Sequence, residues 1–347
     1  MYKTIKYEET LNYNDYVLID VRSPKEFSEA TIPGAVNIPL FLDNEREIIG
    51  TVYVQESVEK ARRLGVEFAS KRLPEIYEDI MSYSKKYEKV IFFCARGGMR
   101  SGSIYSLTSA LGLNTMRLKG GYKGYREYVN DELPKVNDNI TYIVLHGKTG
   151  IGKSKLLYKL KDKGINILDL EKAANHRGSL LGSVGIGKCN SQKQFESLVF
   201  EELRNKNSNY VFVEGESKRI GKIIIPPCIW DSMDRGYHLF LDTSLENRIN
   251  IIVEDYTKCN NAEAEIIEAL EVMKKHISEK NITIYENMVR EKRFEEAAEA
   301  LMINYYDPMY MNSMKKHKFE FNCFYDNLDE GAEKIYKWFN EEVLKNN

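Results

Sequence analysis

The 347-residue chain is defined first by what it lacks. No apolar run approaches the length of a membrane span, and the opening Met-Tyr-Lys-Thr has none of the apolar stretch of a secretory signal, so a cytoplasmic protein is expected. There is no excess of charge, with 50 Lys and Arg against 52 Asp and Glu. That balance excludes a protein that coats nucleic acid by bulk positive charge, and any polyanionic partner has to be held by local basic patches. There is no CxxC pair. Cys94, Cys189, Cys228, Cys259 and Cys323 are odd in number and widely scattered, which fits neither a disulfide framework nor a zinc site. Each is therefore weighed as a thiol, and no metal site is assigned. Internal repeats and low-complexity tracts are also lacking, and a hydrophobic content of 43% excludes a chain disordered throughout.

The length suggests two domains, each able to bury a core. Residues 1–139 hold 20 basic and 20 acidic side chains, so composition does not mark the boundary. Residues 131–139 (DELPKVNDN) are polar, with a proline and two asparagines, and read as a linker between domains at 1–130 and 140–347. In the first domain, residues 17–21 (VLIDV) and 90–93 (VIFF) are apolar strands. Val58, Ala61, Leu64 and Phe68 recur at helical spacing, and residues 104–111 read as a helix. In the second, residues 142–145, 167–170, 210–213 and 239–241 are strand candidates. Ile266, Leu270, Met273 and Ile277 predict one long amphipathic helix, followed by a mainly helical C-terminal region. Strands alternating with helices predict an α/β fold with a parallel sheet in each domain and a helical extension on the second.

Two loops carry chemistry. Cys94 ends a strand and opens the run Ala95-Arg96-Gly97-Gly98-Met99-Arg100-Ser101 before a helix. Loop amides, the positive end of the helix and two guanidinium groups all favour a thiolate, the form that accepts a chalcogen or attacks an oxyanion's central atom. Five residues separate Cys94 from Arg100, the C-x5-R spacing of cysteine phosphatases. A ring of amides that wide suits a tetrahedral, phosphate-like anion, with Arg96, Gly97, Gly98, Arg100 and Ser101 around it. The other four cysteines lack such surroundings and are expected to be inert.

The second loop, residues 147–154 (GKTGIGKS), is a G-x-x-x-x-G-K-S pattern between a strand and a helix. Gly147, Thr149, Gly150 and Gly152 would wrap a diphosphate, Lys153 would neutralise it, and Ser154 could ligate magnesium. Residues 210–214 form an apolar strand that ends at Glu214, with Glu216 just beyond, and either could stand near the metal. Residues 96–126 contain Arg96, Arg100, Arg117, Lys119, Lys123 and Arg126 with no acid. Tyr122 and Tyr125 stand among them as rings on which unstacked bases could rest.

The first 130 residues resemble a rhodanese domain, through LIDVRSPKEFSEATIPGAVNIPL (18–40) and FCARGGMRSG (93–102). The resemblance implies that Cys94 carries a transferable chalcogen and that Asp20 and Arg22 are structural. Over residues 15–315 the chain further resembles the tRNA 2-selenouridine synthases. That likeness is carried by LKGGYKGYR (118–126), GKTGIGKS, DLEKAANHRGS (169–179), EGESKRIG (214–221) and YYDPMY (305–310).

It implies S-geranylation of a wobble 2-thiouridine by geranyl diphosphate, then replacement of the geranylthio group by selenium from selenophosphate. The partners implied are the anticodon region of tRNA and, as a candidate, a selenophosphate synthetase. Arg117, Lys119, Tyr122, Lys123, Arg126, His176 and Arg177 are the RNA-contact candidates, His176 being equally readable as structural. Two other readings stand beside this one. The first is a sulfurtransferase or cysteine phosphatase fused to a small-molecule kinase. The second is a nucleotide-gated RNA-binding scaffold in which Cys94 is dispensable.

Overall fold

The computed structural model describes residues 3–314 and 316–345, and for 311–314 the backbone alone. The chain divides into two compact units, Met1–Leu133 and Pro134–Asn347.

The first unit contains strands β1 (Thr4–Ile5), β2 (Tyr16–Asp20), β3 (Val36–Asn37), β4 (Lys89–Phe93) and β5 (Thr115–Leu118). They form one parallel sheet in the order β1-β5-β4-β2-β3. Val90, Ile91, Phe92 and Phe93 of the central β4 are all buried, as a strand covered by helices on both faces must be. Ile19, Ile76, Ile80 and Ile104 complete the core around it. The helix read from Val58 to Phe68 runs on to Ser84, and the one after the cysteine spans Met99–Ala110. The short β1, β3 and β5 have no strong sequence pattern.

The expected linker takes a different form. Residues 131–137 continue the helix Gly121–Asn137, with Pro134 inside it, and the division between the units falls at Leu133.

The second unit contains β6 (Thr141–His146), β7 (Ile167–Leu168), β8 (Tyr210–Glu214), a small antiparallel pair β9 (Arg219–Ile220) and β10 (Ile223–Ile224), β11 (Tyr237–Asp242) and β12 (Phe321–Phe324). Five of these form a parallel sheet ordered β12-β11-β6-β8-β7. β6 is central, so the carboxyl ends of β6, β8 and β11 lie side by side, the usual place for a ligand in such sheets. Two expectations are corrected here. Strand β7 stops at Leu168 because the Asp169 carboxylate accepts from the Lys172 amide at 2.7 Å and starts a helix at Leu170. The long amphipathic helix is two, Ala262–Met273 and Glu279–Arg290, because Ser278 caps the second through the Asn281 amide. These helices and Phe294–Leu301 bury Leu270, Met273, Ile282, Val289 and Leu301 in a core of their own.

Candidate active sites

At the carboxyl end of β4 the chain turns through residues 94–98 into the helix Met99–Ala110. Cys94 is 3% exposed, and its Sγ shares a hydrogen bond with the Ser101 hydroxyl at 3.3 Å. Burial pushes the thiol up. The Ser101 hydroxyl and amide, the Arg100 guanidinium and the Gly98 amide together push it down further, so it lies below the ordinary cysteine value. Arg100 is held in place by Glu26, whose carboxylate accepts from Nη1 at 2.5 Å and from Nη2 at 3.2 Å. Arg96 is exposed on the loop. Asp20 and Arg22 form a buried pair, with Nη2 and Oδ2 2.6 Å apart, and Arg22 also donates to the Ala30 carbonyl. The resemblance implies a structural pair, and this one ties the end of β2 to Ala30.

The cysteine loop is cradled by the segment LKGGYKGYR. The Tyr122 amide donates to the Cys94 carbonyl and the Lys123 amide to the Ala95 carbonyl, both at 2.9 Å. Arg117 donates to the Gly97 carbonyl. Gly121 has φ +59°, and a Cβ there would lie 2.1 Å from the Cys94 oxygen and 2.4 Å from the Gly97 nitrogen. Only glycine allows so close an approach.

In the second unit, β6 leads into the glycine-rich loop and the helix Lys153–Asp162. Gly150 has φ +82°, and a Cβ would meet the Arg248 carbonyl at 2.8 Å, so the loop lies tight against the helix Leu245–Tyr256. Lys153 Nζ is 3.6 Å from Glu216 Oε1. Burial pulls this lysine's pKa down, but Glu216 above all, with Tyr310, Glu171 and Glu214, holds it above the ordinary range. The Ser154 hydroxyl donates to Glu171 Oε2 at 3.1 Å. Burial and then the Glu216 charge raise the Glu171 carboxyl, against the pull of Lys153. Glu214 accepts from the Leu170 amide at 3.0 Å and is also pushed up by burial, while Glu214 Oε1 and Glu216 Oε1 are buried without a hydrogen-bond donor. The Ser154 hydroxyl on the Glu171 carboxylate, with the Glu216 charge close by, is an oxygen donor set of the kind a hard divalent cation takes.

A cleft of about 810 Å³ opens at this end of the sheet, walled by Gly147, Glu216, Lys218, Trp230, Tyr305 and Tyr310 among others. Behind it an apolar cavity of about 60 Å³ is lined by Leu181, Ile252, Phe294 and Leu301. Ser179 and Tyr306 belong to both.

Residues 140–345 match the model described as the tRNA 2-selenouridine synthase AAA domain, and residues 5–128 match the rhodanese-like domain. The chain belongs to the tRNA 2-selenouridine synthase family. It is 32% identical to the tRNA 2-selenouridine synthase of Hydrogenovibrio crunogenus, over 86% of this chain and 89% of that protein. It is also 32% identical to the one from Nitrosomonas europaea, over 70% of this chain, although it spans only 64% of that relative's length. A solved N-terminal domain from Clostridium difficile 630 is 40% identical over 36% of this chain and 98% of its own, with a TM-score of 0.36.

In this synthase-family chain the RNA-contact candidates part company. Lys119 and Lys123 are exposed, Lys123 lying 3.3 Å from Glu127. Tyr122 is 8% exposed and carries the Arg22 guanidinium 4.3 Å from its ring centroid. Tyr125 is fully buried, and Arg126 is buried with a bond to Asn130. Neither tyrosine offers a face to a base, because spacing of three puts both on the core side of the helix Gly121–Asn137. Arg177 is likewise committed, donating to the Val184 and Asp255 carbonyls at 2.6 and 3.0 Å and stacking over Tyr256. His176 does line the cleft, with its buried Nδ1 unpaired.

Three functional residues escaped the sequence reading. Glu171 sits in the motif DLEKAANHRGS, but its partner Ser154 is 17 residues away. Arg248, 3% exposed, donates through Nε to the Thr149 carbonyl at 2.9 Å and grips Asp307 with both terminal nitrogens, at 2.9 and 2.5 Å. Asp307 belongs to YYDPMY, so that motif braces the phosphate loop.

Proposed function

We propose that this chain modifies the wobble uridine of tRNA in two stages. In the first, geranyl diphosphate bound at residues 147–154 alkylates the sulfur of 2-thiouridine. The C–O bond to diphosphate breaks, a C–S bond forms, and N3 of the base loses its proton. In the second, the selenium of selenophosphate attacks C2 of the base, the C–S bond breaks and geranylthiol leaves, and water then cleaves the Se–P bond to release phosphate, giving 2-selenouridine. Family membership supports the selenation. The observation that carries the two-stage reading is the pairing, on one chain, of a buried thiol with lowered pKa and a phosphate loop set against a large aromatic-walled cleft.

In this reading Lys153 and the loop amides stabilise the departing diphosphate. Magnesium held by Ser154 with Glu171 and Glu216 would supply further charge to that group. The prenyl chain lies along Trp230, Tyr305 and Tyr310. The apolar cavity behind Tyr306 holds only about two waters' volume, so its helices would part to admit the chain's tail. Cys94 serves the selenium stage, with the loop 94–101 and Arg100 receiving the phosphate-like donor once Glu26 yields it. Lys119 and Lys123 are the surviving candidates on the first unit for tRNA phosphates. The reaction belongs in the cytoplasm, where a selenophosphate synthetase would supply the donor. None of the described helices is long and apolar enough to cross a membrane.

The test is nucleoside mass spectrometry of thiolated tRNA incubated with the protein, geranyl diphosphate and selenophosphate, each omitted in turn. Lys153→Ala should stop geranylation. Cys94→Ser should leave geranylated uridine to accumulate without selenation. Loss of the same step in both variants would refute the division of labour, and absence of both products from the intact protein would refute the function.

A further inference from the structure

All five histidines of the chain gather at one place. His146, His176, His276 and His317 line the large cleft. His238 lines a recess of about 30 Å³ that shares His146, Glu216, Trp230 and His317 with it. Three of them converge. In the pairing of β6 with β11, His146 stands opposite Phe240 and His238 opposite Val144, so the two histidines project from the same face of the sheet. His317, on the segment leading into β12, closes over them, with ring centroids 4.7 Å from His146 and 4.4 Å from His238. One ring nitrogen from each of the three lies within 4.8 Å of the others.

The hydrogen bonds already fix one donor. His238 Nε2 faces the Asp234 carbonyl at 3.2 Å, and a carbonyl only accepts, so that nitrogen carries the hydrogen and Nδ1 keeps its lone pair. A ring N–H bonded to a backbone carbonyl is how metal-ligating histidines are usually oriented. That Nδ1 points at His146 Nε2, 2.8 Å away. Around a tetrahedral ion with metal–nitrogen bonds of about 2.0–2.1 Å, neighbouring donors stand about 3.3 Å apart. The pair therefore has to open by about half an ångström, with the shared hydrogen moving to Nδ1 of His146.

We propose that His146, His238 and His317 form a trihistidine site for a late first-row divalent metal ion such as zinc, with its fourth position facing the cleft beside Glu216. Three imidazoles select zinc-like ions over magnesium, which takes oxygen donors. The site is distinct from the serine and carboxylates at residues 154, 171 and 216, and it stands whether or not the proposed reaction is correct.

The experiment is a titration of the intact, chelator-treated chain with Co²⁺ in excess Mg²⁺, followed by visible absorption, with displacement by Zn²⁺ and metal analysis after desalting. The expected result is one tightly held ion per chain with the intense visible bands of tetrahedral cobalt. His317→Ala, at a half-buried position whose variant should melt like the parent without metal, should weaken binding at least tenfold. His238→Ala should do the same, and His276→Ala, on the cleft but outside the trio, should not. Absence of the tetrahedral bands, or binding that survives His317→Ala, would overturn the proposal. So would binding lost in Glu171→Gln and retained in the histidine variants, which would place the ion at the phosphate-loop carboxylates.

Discussion

Removing the Asp307 carboxylate should loosen the phosphate loop through a residue that touches no phosphate. Arg248 is 3% exposed, and its charge is met by Asp307 through two parallel bonds and by the Thr149 carbonyl through a third. Asp307→Ala leaves that guanidinium buried and uncompensated, a change that costs about 3–5 kcal/mol. The Asp307 side chain is 19% exposed, so water can reach part of the vacated space, which places the expectation near the lower end. For a unit of this size each kcal/mol shifts Tm by about 2–4 °C, so the loss is about 6–12 °C.

Differential scanning calorimetry of the intact chain reads it, on the transition that inorganic diphosphate raises in the parent. Replacing both partners, as Arg248→Met with Asp307→Leu, removes the stranded charge and should cost less than Asp307→Ala alone. A shift below 2 °C for Asp307→Ala would refute the reasoning. So would a double variant whose loss equals the sum of the two single ones.

Two further outcomes concern the thiol. Ser101→Ala removes the strongest hydrogen bond favouring the Cys94 thiolate, so the pH midpoint of alkylation by iodoacetamide should move up and the rate at pH 7 should fall several-fold. An unchanged profile would mean that Ser101 does not tune the thiol. Gly121→Ala forces a methyl against the Cys94 and Gly97 backbone in a left-handed conformation, at an expected cost of about 1–3 kcal/mol. Thermal melting and alkylation rate should change together, and parental values for both would show that the loop relaxes freely.

Both loops were legible in the sequence because each is a local pattern, a strand that ends in chemistry-bearing residues and a helix that begins there. The α/β class followed from the same alternation. Legibility failed where the deciding contact is distant or where one residue type serves two purposes. Tyr122 and Tyr125 stand in a basic run and read as stacking platforms, yet their spacing of three marks the buried face of a helix. Ile277 continues the spacing of Ile266, Leu270 and Met273, and only the Ser278 cap shows that one helix has ended and another begun. Glu171, Arg248 and Asp307 are ordinary charged residues in sequence, since their partners lie 17 to 99 positions away. The polar run at 131–139 has linker composition, but a proline does not stop the helix that covers most of it.

The phosphate loop also depends on the far end of the chain. The Tyr325 hydroxyl donates to the Ile151 carbonyl across 174 residues, and Leu328 lies against Gly152. β12, which carries the chain to Tyr325, pairs along β11. During translation at about 5–20 residues per second, Ile151 is made roughly 9–35 s before its partner. Late in that interval the nascent chain carries a phosphate loop that has Arg248 and Asp307 to brace it but not Tyr325. A product terminated before Phe321 would keep every residue of the glycine-rich motif and the Arg248–Asp307 pair, yet lose the Tyr325 bond and the Leu328 contact. The order of synthesis thus leaves the loop's second brace to form only once β12 has docked.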